Sequence, residues 1–123
     1  MIDLVAGDLK LAVNPARTDA IELTWLGRSN DRYPGKLLTP YWQTALVEAA
    51  ERALPIELHF QKLEHFNSST ISVLIQFIQE ARNRNARLVM VYDQALKWQK
   101  LSFDALRIFE KPDGLLHVQT TVA

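Results

Sequence analysis

The chain contains no cysteine, no net charge and no long apolar run, and each absence excludes a class of protein. Without cysteine there is no disulfide, no thiolate nucleophile and no thiolate metal site. Fourteen basic residues balance fourteen acidic ones, so the composition does not indicate nucleic acid or an anionic membrane as a partner. The N-terminal sequence MIDLVAGDLKLAV has acidic residues where a signal peptide needs basic ones, and its apolar run is too short to cross a bilayer. We therefore expect a cytoplasmic protein.

What the chain does contain is material for one hydrophobic core. It has 123 residues, of which 48% are hydrophobic. A second core would leave each half near the lower size limit for independent folding. No repeat, low-complexity tract or linker divides the sequence, so we predict a single domain that spans residues 1–123.

The first half of the chain predicts a hairpin followed by a helix. Polar and apolar residues alternate over Asp8–Val13 and Ile21–Leu26, and the turn-forming sequence NPARTDA separates them, which is typical of an antiparallel hairpin. Residues 27–38 are loop-like. Thr39 and Pro40 then have the residue types of an N-cap and a first helical position, so we expect a helix to begin there.

The second half alternates strands with helices. We predict strands over Ile56–Phe60, Arg87–Tyr92 and Leu115–Thr121, an apolar helix after Ser69, and a helix over Gln94–Leu101 that Asp93 caps. The resulting order is β-β-α-β-α-β-α-β. Helices between successive strands imply crossover connections. The predicted fold is therefore α/β, with a mixed, largely parallel β-sheet and helices packed against it.

The residues Asn67-Ser68-Ser69-Thr70 lie between a predicted strand and the apolar helix. In α/β sheets, ligands and modifications collect at the edge where strands end and helices begin. A helix N-terminus also favours an added phosphate, because its amides and its dipole present positive charge. Ser, Thr and Asn are, however, the ordinary helix caps. The residues alone therefore leave two interpretations: a cap with no further role, or a cap that presents a hydroxyl for phosphorylation.

The segment Phe66–Phe109, FNSSTISVLIQFIQEARNRNARLVMVYDQALKWQKLSFDALRIF, resembles the core of a STAS domain, the fold of the anti-sigma factor antagonists. The family pattern is a strand, then Asp-Ser-Ser/Thr-Gly, then an apolar helix with Ala-Arg near its end. On this pattern Ser68 falls on the serine that a partner kinase phosphorylates. Asn67 replaces the acidic residue of the family, and Thr70 replaces its glycine.

A second resemblance accounts for the asparagine. Residues 27–53, GRSNDRYPGKLLTPYWQTALVEAAERA, and the following IELHFQKLEHFNSST are similar to the SiaC-type regulatory phosphoproteins, which are STAS-like relatives. Those proteins carry Phe-Asn-[Thr/Ser]-Ser-Ser at the phosphorylation loop. Asn67 is then the expected residue, and Ser68 again takes the phosphorylated position.

Both resemblances imply a regulatory binding module that is not an enzyme and has no cofactor. They imply phosphorylation at Ser68, with Ser69 or Thr70 turned inward to bond the helix amides. The expected partner surface consists of Asn67, Ser68, Ser69, Thr70 and Tyr33. The implied partners are a serine/threonine protein kinase of the anti-sigma type and its cognate phosphatase, or, by analogy with the SiaC-type proteins, a diguanylate cyclase. Neither nucleic acid nor a membrane is expected as a partner.

Two other constellations are weaker. His59 and Glu57 could ligate a metal if they share a strand face, but no His-x-x-x-His pair supports them, and we predict no metal site. Ser68 with His65 could form a nucleophile pair, and the protein would then be a small serine hydrolase or another enzyme that uses Ser68. The sequence has no G-x-S-x-G elbow, no G-x-G-x-x-G motif and no Walker loop. These absences favour the regulatory interpretation.

Overall fold

A seven-stranded sheet runs through the computed structural model, which describes residues 1–121. The strands are β1 (Leu4–Ala6), β2 (Leu9–Val13), β3 (Ile21–Ser29), β4 (Ile56–His59), β5 (Leu63–Phe66), β6 (Leu88–Tyr92) and β7 (Leu116–Thr120). Four of the six strand pairs are parallel, and only β1–β2 and β2–β3 are antiparallel. The expected α/β fold with a mixed, largely parallel sheet is confirmed, as is the predicted hairpin.

The sheet contains two short strands, β1 and β5, that the sequence did not predict. The strand order is β1-β2-β3-β4-β6-β7, and β5 pairs only with β3. β4 pairs with β3 over Ile21–Thr24, and β5 pairs with β3 over Gly27–Ser29, with a register shift between Gly27 and Arg28. β1 and β5 contain three and four residues, which is too short for an alternating pattern to stand out.

Three α-helices pack on the sheet within the described residues: α1 (Gly35–Arg52), α2 (Ser68–Asn83) and α3 (Lys97–Leu106), which a 3₁₀ turn (Arg107–Phe109) follows. None of them is both long enough and apolar enough to cross a bilayer.

The start predicted for α1 at Thr39 and Pro40 is wrong. Pro34, with φ of −65°, already has helical geometry, and its carbonyl accepts a hydrogen bond from Leu38 N at 3.0 Å. Pro40 therefore lies inside the helix.

The start predicted for α3 is also wrong, because the Asp93 side chain stabilises a turn instead of capping the helix. Its Oδ1 accepts from Ala95 N at 2.9 Å, and the helix begins four residues after Asp93, at Lys97. Gln99, which is fully buried, holds this connection in place. Its Nε2 donates to the Phe60 carbonyl at 2.6 Å, and its Oε1 accepts from Asp93 N at 2.8 Å.

The helices bury one face of the sheet. On α2, Leu74 is fully buried and Ile78 is almost so. Trp42 of α1 stacks on Phe77 of α2 with 4.6 Å between ring centroids, so the two helices also pack on each other. The opposite face of the sheet carries polar and half-buried side chains, such as Glu57 on β4. This is the alternation expected of a sheet that is covered on one side only.

The outer edge of β7 is blocked by side chains from the end of α3. Arg107 donates from Nη1 to the Val118 carbonyl at 2.7 Å, and Glu110 Oε2 accepts from Val118 N at 3.1 Å. The two side chains lie 3.5 Å apart as an ion pair. They satisfy the backbone groups that an added strand would otherwise pair with, which protects the edge from edge-to-edge association.

We predict that removing both side chains, in the double variant Arg107→Ala with Glu110→Ala, opens this edge. Self-association that increases with protein concentration is the expected result in sedimentation velocity, with the folded state checked by circular dichroism. The matched control is Glu80→Ala with Arg84→Ala, which removes an exposed ion pair on α2 away from any strand edge. Identical sedimentation of the two folded double variants would contradict the protective role.

Candidate functional site

The segment Asn67–Thr70 lies where β5 ends and α2 begins, beside the end of β3. Asn67 N donates to the Ser29 carbonyl at 3.0 Å and so continues the contact between β5 and β3. The segment therefore sits at the edge formed by the C-terminal ends of parallel strands.

Asn67 is the N-cap of α2. Its backbone is extended, and its Oδ1 accepts from Thr70 N at 2.9 Å and from Thr70 Oγ1 at 2.8 Å. Its Nδ2 donates to the Asp31 carbonyl at 2.8 Å. An aspartate could make the first two bonds but not the third, because an ionised carboxylate only accepts. The expectation that Ser69 or Thr70 would bond the helix amides is wrong, since the carboxamide of Asn67 reaches Thr70 N.

Thr70 does turn inward, and its hydroxyl contacts the hydroxyl of Ser29 as well as Oδ1 of Asn67. Thr70 is fully buried, and Ser29 is 2% exposed. The two side-chain oxygens lie 2.7 Å apart, so one donates to the other. A glycine at position 70, as in the STAS pattern, would leave the Ser29 hydroxyl without this partner. No local pattern could have identified Ser29, because 41 positions separate it from Thr70.

Ser68 and Ser69 differ in accessibility. Ser68 is exposed, while Ser69 is half-buried. Among residues 1–121, neither hydroxyl hydrogen-bonds to another group of the protein. Both residues belong to the first helical turn, where backbone amides have no acceptor within the helix. The arrangement can therefore accept an added phosphate at Ser68 without breaking an existing side-chain bond.

Tyr33 lies on the loop that Asn67 anchors. The residue is 60% exposed, and its backbone N donates to Asp31 Oδ1 at 2.9 Å. The Asp31 carbonyl is the group that Asn67 binds. The structure thus brings Tyr33 near the start of α2, although 34 residues separate it from Asn67 in the sequence.

The residues considered for a metal site lie together, but an arginine binds between them. Glu57 and His59 share a strand face and are joined by a 3.0 Å hydrogen bond, and Glu22 is the cross-strand neighbour of Glu57. Arg17 lies 2.6 Å from Glu22 and 2.9 Å from Glu57, with Asp19 as a third carboxylate partner at 2.7 Å. Hydrogen bonding to Arg17 holds the pKa of the Glu57 carboxyl below its usual range. The cluster is an ion network in which one guanidinium binds three carboxylates, so Arg17 contacts oxygens that a metal ion would use.

The hydrolase interpretation needs a base beside Ser68. His65 is half-buried, and its ring lies 6.4 Å from the ring of Trp98. In the described part of the chain, no imidazole or carboxylate forms a hydrogen bond with the Ser68 hydroxyl. The geometry therefore presents Ser68 as an accessible hydroxyl without a base that activates it.

A scan of the chain against models of known protein families and a search of curated proteins find no match.

We predict that Thr70→Val, which keeps the shape of the side chain but removes its hydroxyl, lowers the free energy of unfolding by about 1–3 kcal/mol. The Ser29 hydroxyl would stay buried without its partner. Ser68→Ala is the control and should change stability by less than about 0.5 kcal/mol, because this exposed hydroxyl makes no bond. Urea denaturation measures both. Equal losses would contradict the difference assigned to the two hydroxyls.

The Arg17 network predicts a pH-dependent contribution to stability. The carboxylate of Glu57 is stabilised in the folded state, so its contribution is present above the unfolded pKa of about 4.3 and disappears as pH falls through the lower folded pKa. The loss in the free energy of unfolding caused by Arg17→Ala should therefore be larger at about pH 6 than at about pH 3. Arg87→Ala, at an exposed arginine without an ion pair among residues 1–121, should show no such trend. Parallel trends in the two variants would argue against the network.

Proposed function

We propose that the chain is a non-catalytic, STAS-like regulatory binding module that phosphorylation of Ser68 switches. The observation that carries the proposal is the contrast between Ser68 and Thr70. Ser68 is exposed at the start of α2, whereas Thr70, two residues later, is buried and hydrogen-bonded. A modifying enzyme can reach the first hydroxyl and not the second.

The surrounding bonds support a switch that changes the surface and preserves the fold. The bonds that hold the segment run between Asn67, Thr70, Ser29 and Asp31, and none uses the Ser68 side chain. A phosphate on Ser68 adds about −1.5 to −2 charges and can accept hydrogen bonds from first-turn amides. The unmodified surface of Asn67, Ser68, Ser69 and Tyr33 would bind a partner, and the added charge would weaken that binding. Thr70, which the sequence also assigned to this surface, is fully buried and would only support it from below.

The proposed partners follow from the two resemblances. A serine/threonine kinase of the anti-sigma type would modify Ser68, and a cognate phosphatase would reverse the modification. By analogy with the SiaC-type proteins, a diguanylate cyclase is the alternative target. The proposal includes no nucleic acid, no membrane, no metal and no cofactor.

Intact-mass spectrometry of the protein from its native cells, followed by phosphopeptide mapping, tests the modification. The expected result is one added phosphate on Ser68, absent from Ser68→Ala. Binding is tested by pull-down from lysate, with wild type, Ser68→Ala and Ser68→Asp as baits. Ser68→Asp should stay folded and bind the partner of the unphosphorylated protein more weakly, and Ser68→Ala should bind it constitutively.

Ser72→Asp is the matched control, because Ser72 is also exposed and lies one helical turn after Ser68. It adds the same charge to the same helix but not at the proposed site. A phosphate at Ser69 or Thr70, or equal partner binding by Ser68→Asp and Ser68→Ala, would show that the proposed switch is wrong.

A further inference from the structure

An exposed patch that combines apolar surface with positive charge begins on the loop that bonds to Asn67, the N-cap of α2, and continues into the first turn of α1. We call it the Tyr33 patch, and it consists of Arg32, Tyr33, Lys36 and Leu37. Tyr33 is 60% exposed and Leu37 is 49% exposed, while Arg32 and Lys36 are also exposed. Exposed aromatic rings beside arginine are typical of residues that contribute most to protein–protein binding.

The patch is held rigidly although it begins on a loop. Asp31 Oδ1 accepts from Tyr33 N at 2.9 Å, and Asn67 holds the Asp31 carbonyl. Pro34, the residue after Tyr33, is buried. The start of α1 also packs beside α2, since a Cβ built on Gly35 would lie 3.6 Å from a Val73 methyl carbon. A surface that is already ordered loses less conformational entropy when it binds.

Within residues 1–121, the two cations of the patch have no acidic partner. Arg32 Cζ lies 5.8 Å and Lys36 Nζ lies 5.7 Å from the centroid of the Tyr33 ring. In that part of the chain, neither side chain forms an ion pair. The same is true of Arg87 and Lys111, but only the two cations of the patch lie within about 6 Å of the Tyr33 ring. Exposed contacts between a cation and an aromatic face are weak, so both side chains can instead bind carboxylates, which form stronger charge-assisted hydrogen bonds.

We infer that the Tyr33 patch binds a protein partner through a segment that carries at least two carboxylates beside an apolar side chain. The apolar side chain packs on Tyr33 and Leu37, and the carboxylates pair with Arg32 and Lys36. The effect of Ser68 on this binding rests on the function proposed above. A phosphate on Ser68 would place negative charge beside the patch, where it repels the carboxylates of the partner and attracts the two cations.

The test is site-specific photo-crosslinking in the native cells, with benzoylphenylalanine replacing Tyr33. Val47, which is 48% exposed on α1 and outside the patch, is the control position. Mass spectrometry then identifies the crosslinked peptide of the partner. The expected result is a segment with acidic residues beside an apolar one, captured from position 33 and not from position 47. No crosslink specific to position 33, or a crosslinked segment without acidic residues, overturns the inference.

Charge reversal then tests the two cations against the partner so identified. Arg32→Glu with Lys36→Glu should weaken binding about tenfold or more. The matched control, Arg87→Glu with Lys111→Glu, reverses two exposed charges elsewhere that also lack ion pairs in residues 1–121, and it should bind as wild type. Equal binding by the two double variants overturns the inference.

The same assay separates this inference from the phosphorylation switch. If charge reversal at the patch weakens binding and Ser68→Asp does not, the acidic partner is correct and the switch is wrong. If Ser68→Asp weakens binding and charge reversal does not, the switch stands and the acidic partner is wrong.

Discussion

The carboxamide of Asn67 bonds in three directions, and the geometry of the candidate site depends on it. Its oxygen caps α2 through Thr70 N and also accepts from the Thr70 hydroxyl, while its nitrogen holds the carbonyl of Asp31. One side chain therefore connects the start of α2 with the loop that precedes α1. A carboxylate could cap the helix equally well, but it could not donate to that loop. The asparagine and the buried threonine belong together, because the bond between them orients both.

This network separates the polar groups of the site into two kinds. Those of Asn67, Thr70 and Ser29 are used inside the protein, and breaking their bonds would leave buried groups unsatisfied. Ser68 and the cations beside Tyr33 are outside the network and have no strong partner of their own. The regulatory function proposed above would benefit from this division, since a change in charge at Ser68 would alter what the surface attracts without removing a bond on which the fold depends.

Elsewhere in the molecule, two groups of charged side chains are bonded within the chain. On the uncovered sheet face, two glutamates on neighbouring strands would repel each other, and Arg17 compensates them from the hairpin turn. At the far edge of the sheet, Arg107 and Glu110 bond to the backbone of β7. In both places the charged groups are paired within the chain. The cations of the Tyr33 patch have no such pairing among residues 1–121, and they lie beside an exposed aromatic ring and an exposed leucine. This combination is the reason for assigning them to a partner.

Periodicity in the sequence determined the long elements: the hairpin, the apolar face of α2 and the buried strand β6 all have patterns that local burial imposes on neighbouring residues. From these, the mixed, largely parallel sheet follows. Only the tertiary structure decided the start of α1, the strand β5, the bond of Asn67 to Asp31 and the pairing of Thr70 with Ser29. The physical reason is that hydrogen-bond partners 36 or 41 positions apart meet through strand register and helix packing, which no local window contains. When only neighbouring residues are considered, α1 could begin at Thr39 as well as at Pro34. The packing of this segment on the rest of the fold decided between the two.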